Sequence, residues 1–273
     1  MNRAASILRK FLPALAPALA ATLAAFAATP AKAQLFPKPE YPTRVCEAAR
    51  DVIERDRELL QAMRNAFGKV NYWGARRNDP RNCLYPVKLL KFHLHDLLLT
   101  VASEPGELCA NCRARVSAHF LRNRPGTPKV LKREVNFALL GRFGDPGTVQ
   151  AFTIGGNEGF GVESAVSIQG KDFKKLSFFI ITRNTIAELK SERPILSAFD
   201  TTDRVAKGEA VAITSSWRVD PVRTIDLLVD YEISRGEVNS DFQVIWRRDG
   251  LKLIPLAGQL PLELRPEAKP EAN

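Results

Sequence analysis

Four cysteines carry the most specific chemistry in this 273-residue chain: Cys46, Cys83, Cys109 and Cys112. Their role depends on the compartment, because thiols stay reduced in a cytosol and pair outside it. The first residues decide that question. Arg3, Arg9 and Lys10 form a basic lead, an Ala/Leu-rich run extends from Phe11 to Ala28, and Ala31-Lys32-Ala33 is a small-x-small cleavage site. This is the pattern of a secretory signal peptide over residues 1–33, with export to the periplasm or beyond. Pro13, Pro17 and the many alanines make the same run a weak membrane anchor, and no Cys follows the cleavage point to be lipidated. An even cysteine count in an exported chain points to disulfides.

Four cysteines allow three pairings. A helix running on from Cys46 to Phe67 would be about 30 Å long. A following loop that ran back along it would bring Cys83 to Cys46 and leave both far from the CxxC. The set that pairs every cysteine is then Cys46–Cys83 with Cys109–Cys112. The Cys109-Ala110-Asn111-Cys112 motif also suits a redox dithiol, although the strand–CxxC–helix order of a thioredoxin fold is absent. Arg113 stands where covalent haem attachment needs His. Cys109, Cys112 and His119 would give zinc three ligands without a fourth.

Other reactive constellations are absent. His93-Leu94-His95 sits in a helically spaced stretch, where the two imidazoles would point about 200° apart. No Gly-x-Ser-x-Gly, Walker or strand-following Gly-x-Gly-x-x-Gly sequence occurs. No catalytic set, metal site or cofactor is assigned. Two groups remain as binding candidates. Trp217, Tyr231, Phe242 and Trp246 are candidates for an apolar lining, and Arg76, Arg77, Arg81, Arg113 and Arg115 for anion contacts. The arginines lie in the basic part of the chain: residues 34–125 hold 16 Lys+Arg against 10 Asp+Glu, and residues 126–273 hold 20 of each. An anionic surface or an acidic envelope protein fits that asymmetry better than nucleic acid, which an exported chain does not meet.

The elements that must position these groups read as helices first and strands later. Apolar residues at Cys46, Ala49, Ile53, Leu60, Met63 and Phe67 predict a helix that Gly68 ends. Val87, Leu90, Leu94, Leu97, Leu98 and Val101 predict a second helix, and Cys109, Cys112, Val116 and Phe120 a third, over 107–122. Lys129–Phe143 reads as one more short helix. Thr148–Ile154 and Val162–Ile168 have strand composition, and Phe173–Leu189 fits a strand or a helix. Ile225, Leu227, Val229, Tyr231 and Ile233 alternate with polar residues, and Asp249-Gly250 marks a hairpin. The expectation is an α+β protein: a disulfide-bearing helical section over 34–125, then a curved antiparallel sheet packed with a helix over 126–262, and a disordered tail over 263–273.

Val229-Asp230-Tyr231-Glu232-Ile233 and Phe242-Gln243-Val244-Ile245-Trp246 resemble paired strands of the periplasmic toluene-tolerance or phospholipid-shuttle proteins. Ala138-Leu139-Leu140-Gly141-Arg142 is similar to a helix end upstream in that family. The resemblance spans about residues 135–256 and implies a soluble lipid carrier. The chain departs from it where Gly250-Leu251-Lys252 replaces Gly-x-Ser, in lacking the closing helix, and in its four-cysteine front section, so it is not assigned to that family. The reading is an exported, non-enzymatic binding or carrier protein for an apolar or lipid ligand, with no transmembrane segment after cleavage. The alternative is an envelope redox or assembly factor using Cys109 and Cys112.

Overall fold

A computed structural model describes residues 44–68, 80–122, 130–183, 185–201 and 210–265. Two short helices open it, α1 (Ala49–Arg55) and α2 (Arg57–Phe67). They replace the single helix expected over this stretch. Asp56 divides them, because its carboxylate accepts from the amides of Glu58 and Leu59, both at 3.0 Å, and so caps α2. Gly68 ends α2 at φ +75°, its amide donating to the Arg64 carbonyl at 2.8 Å.

Among the described residues after α2 the regular elements are strands, apart from one 3-10 turn at Leu262–Leu264, and this overturns the α+β expectation. Strands β1 (Tyr85–Lys91), β2 (His95–Val101), β3 (Ala114–Arg122) and β4 (Val130–Leu140) form an antiparallel sheet in that order. They occupy the stretches read as three helices. The misreading has a physical cause. Leu97, Leu99, Val101, Val116, Ala118 and Phe120 face one core, while Leu98 and Leu121 face the helices across the sheet. A strand buried on both faces loses its period of two, and its apolar run mimics a helix. Pro86 is tolerated because β1 is an edge strand. The helix end that the family resemblance implies at 138–142 is likewise the end of strand β4.

Nine further strands follow: β5 (Thr148–Ile154), β6 (Asn157–Ile168), β7 (Lys171–Thr182), β8 (Thr185–Ser191), β9 (Ile195–Asp200), β10 (Val211–Val219), β11 (Asp226–Arg235), β12 (Val238–Asp249) and β13 (Lys252–Ala257). The order is β5-β6-β7-β8-β13-β12-β11-β10-β9, and β9 pairs back onto β7, so seven strands close into a barrel. Phe173–Leu189 is therefore two strands, with no covering helix. Closure serves the purpose that helix would have had, since the apolar face is turned inward on itself. The Asp249-Gly250 hairpin is present, with Asp249 opposite Lys252.

Three apolar layers result. The barrel core holds Phe178, Ile180, Val229, Tyr231 and Trp246. A second core lies between the four-stranded sheet and the outer wall of β6 and β7, through Phe160, Val162, Phe179 and Ile181. The third packs α1 and α2 on the far side of the sheet.

Candidate functional site at the barrel seam

The predicted aromatic lining converges. Cross-strand register puts Trp217 opposite Val229, Tyr231 opposite Phe242, and Trp246 opposite Leu227. All four rings belong to the barrel core. Tyr231 and Phe242 stack at 5.1 Å, and Trp217 meets Phe152 and Phe178 edge-on at 5.7 and 5.0 Å. The Tyr231 hydroxyl donates to the Leu196 carbonyl at 2.9 Å. Gly161 leaves the space for Trp217, whose Cζ2 would lie 2.5 Å from any added Cβ. Tyr231 and Trp246 are buried in the barrel core, and Trp217 and Phe242 pack against it half-buried.

A groove lies at the seam where β9 closes the barrel. Among the described residues, Phe199 and Asp200 of β9 pair with Ile213 and Ala212 of β10, the Thr201 amide donates to the Val211 carbonyl at 3.0 Å, and the ladder from β9 to β7 slips a register between Lys174 and Lys175. The groove has a volume of about 380 Å³. Its base is Phe173 and Phe199, stacked at 4.9 Å, with Ile213 beside them. Asp172, Lys174 and Asp200 stand at its rim. Arg142 pairs with Asp172, and Lys174 lies 3.8 Å from Glu163. An apolar floor with a mixed-charge rim suits a small amphipathic molecule, and the volume falls within the usual pocket range. Sequence reasoning passed over Phe173 and Phe199, because a lone Phe in a strand carries no sign that its face lies at a closure seam.

The arginine candidates are placed in part. Arg76 and Arg77 lie outside the described residues. Arg81 is exposed ahead of Cys83, and Arg113 and Arg115 are exposed on either side of buried Ala114 at the start of β3. Two arginines not singled out, Arg57 and Arg122, line a polar hollow of about 250 Å³ beside α2, where Lys91 is held by Glu58 at 3.3 Å and Asp96 at 2.9 Å.

The cysteines form two disulfides, Cys46–Cys83 and Cys109–Cys112. Val45 and Leu84 bridge in parallel, with the Cys46 amide on the Leu84 carbonyl at 3.0 Å, and set Cys46 and Cys83 side by side. Glu104 lies close to that pair, but sulfurs joined to each other are not metal ligands.

Comparison with protein-family models, curated proteins and solved structures finds no match to this chain. The site therefore rests on its own geometry. No helix among the described residues is long and apolar enough to cross a membrane.

The histidines do not gather. His93 lies in the β1–β2 turn, where its amide donates to Glu158 at 2.6 Å. His95 is buried on β2 beside Phe92 and Phe120, and burial lowers its pKa. His119 is fully buried on β3, on the helix side, with Nε2 at 3.1 Å from Thr100 Oγ1 and Phe67 edge-on at 4.7 Å. Burial, reinforced by the nearby Arg133 cation, pushes its pKa down to about 3.

Proposed function

We propose that this chain is an exported binding protein whose barrel seam takes a small apolar or amphipathic molecule. The observation that carries the reading is the groove floored by stacked Phe173 and Phe199, which opens from the apolar barrel core to a charged rim. The signal-like leader and two disulfides support an oxidising compartment, periplasmic or extracellular. Exposed Arg81, Arg113 and Arg115 add a basic surface suited to anionic headgroups or an acidic envelope protein.

The test is solvent extraction of the natively exported protein followed by mass spectrometry, repeated for Phe199→Ala. The reading expects a recurrent apolar molecule with the native protein and a several-fold loss in the variant, at unchanged far-UV circular dichroism. No recurrent molecule across independent preparations, or equal recovery from both proteins, overturns it.

A further inference from the structure

The two disulfides differ in exposure and in the length of loop they close. Cys46 and Cys83 are at most 1% exposed and lie 37 residues apart in sequence. Cys109 is exposed, Cys112 is half-buried, and only three positions separate them. A crosslink that short removes less than half the chain entropy that the 37-residue loop does.

The loop that carries it is already fixed by other means. The Gly106 and Leu108 amides donate to the Phe143 carbonyl at 2.8 and 3.4 Å, and the Gly144 amide to Cys112 at 2.9 Å. The Cys112 amide donates to Cys109 at 2.8 Å and closes the turn. Arg142 Nε donates to the Ala110 carbonyl, inside the CxxC, at 3.1 Å. The bond therefore adds less to the fold than Cys46–Cys83 does and stands open to solvent.

We infer that Cys109–Cys112 is a thiol-exchange site that accepts two electrons from a protein dithiol. A thiolate of the partner attacks Cys109 Sγ, the bond to Cys112 breaks, and Cys112 leaves as a thiolate. The partner's second thiolate then attacks its own sulfur in the mixed disulfide and releases Cys109. The partner ends as a disulfide, this chain as a dithiol, and the partner's two protons are transferred through solvent. Cys109 is the attacked sulfur because it is the exposed one. The inference stands apart from the ligand groove.

The experiment equilibrates the full exported protein with graded ratios of reduced to oxidised glutathione, quenches by alkylation, and counts each pair by peptide mass spectrometry. Cys109–Cys112 should open at a ratio at least ~100-fold lower than Cys46–Cys83. With oxidised glutathione, Cys112→Ser should form the mixed disulfide on Cys109 at least ~10-fold faster than Cys109→Ser does on Cys112. Opening of both pairs at one ratio, or equal rates for the two variants, overturns the assignment.

Discussion

Lowering the pH should unfold this protein in large part through one imidazole. In the unfolded chain His119 titrates near 6.5, and in the fold it is held down to about 3. Above pH 6.5 it is neutral in both states and pH has no leverage. Below that, the unfolded chain takes a proton that the folded protein refuses, so stability falls as pH falls and levels off only beneath the folded value. Between pH 7 and 4.5 this one group removes roughly 2–3 kcal/mol. That is a large share of the roughly 5–15 kcal/mol a domain possesses. The groups that face the ring account for the direction: Phe67 closes over it, Thr100 hydrogen-bonds it, and Arg133 opposes a second positive charge. His119→Gln keeps a polar group at the site and cannot charge. Urea unfolding of both proteins at pH 7.0 and 4.5 gives two pH-dependent losses. The native loss should exceed the variant's by that amount, because His95 and the carboxylates are common to both. Equal losses would refute the argument.

Removing Cys46–Cys83 by the double Ala substitution should cost about 3–4 kcal/mol, from a closed loop of 37 residues. The same change at Cys109 and Cys112 opens a far shorter loop and should cost less than half as much, about 1.5–2 kcal/mol, and thermal unfolding of the two doubles compares them. Tyr231→Phe leaves the buried Leu196 carbonyl without its donor and should cost about 1–2 kcal/mol in urea unfolding. Asp226 accepts both Nε and Nη2 of Arg247, at 2.8 and 2.9 Å, and this hydrogen bonding holds its carboxyl below the usual range. Its contribution is present above the unfolded carboxylate pKa and is lost as pH falls through the folded value, so the Tm gap between native protein and Asp226→Asn should be full at pH 6 and shrink below about pH 4.

The legible part of the fold was wherever one face of a strand meets polar surroundings. Leu227 to Ile233 alternate with Asp226, Asp230 and Glu232 because β11 is packed inside and mostly polar outside, and that pattern survives in a single sequence. The same logic failed for Leu97-Leu98-Leu99, which has apolar layers on both sides. The α2 stop at Gly68 was readable because a positive φ selects glycine, but the interruption at Asp56 was hidden inside a continuous apolar stripe. At the candidate site, the aromatic residues of β10–β12 were visible in the sequence and gather in the barrel core. Phe173 and Phe199 come from strands with β8 between them in sequence, and only closure brings them together.

Strand β7 has no free edge over most of its length. Strand β6 lies along one side, while β9 and then β8 share the other. Its side chains also alternate between two cores, Phe178 and Ile180 toward the barrel, Phe179 and Ile181 toward the four-stranded sheet. A local fluctuation that frees these amides must therefore break both layers at once. In deuterated buffer the amide protons of the Phe178–Ile180 stretch should be the last to exchange, at a rate set by opening of the whole molecule. Their protection then measures global stability, and any ligand that settles on the seam near the start of the same strand should slow them by the factor 1 + [L]/Kd.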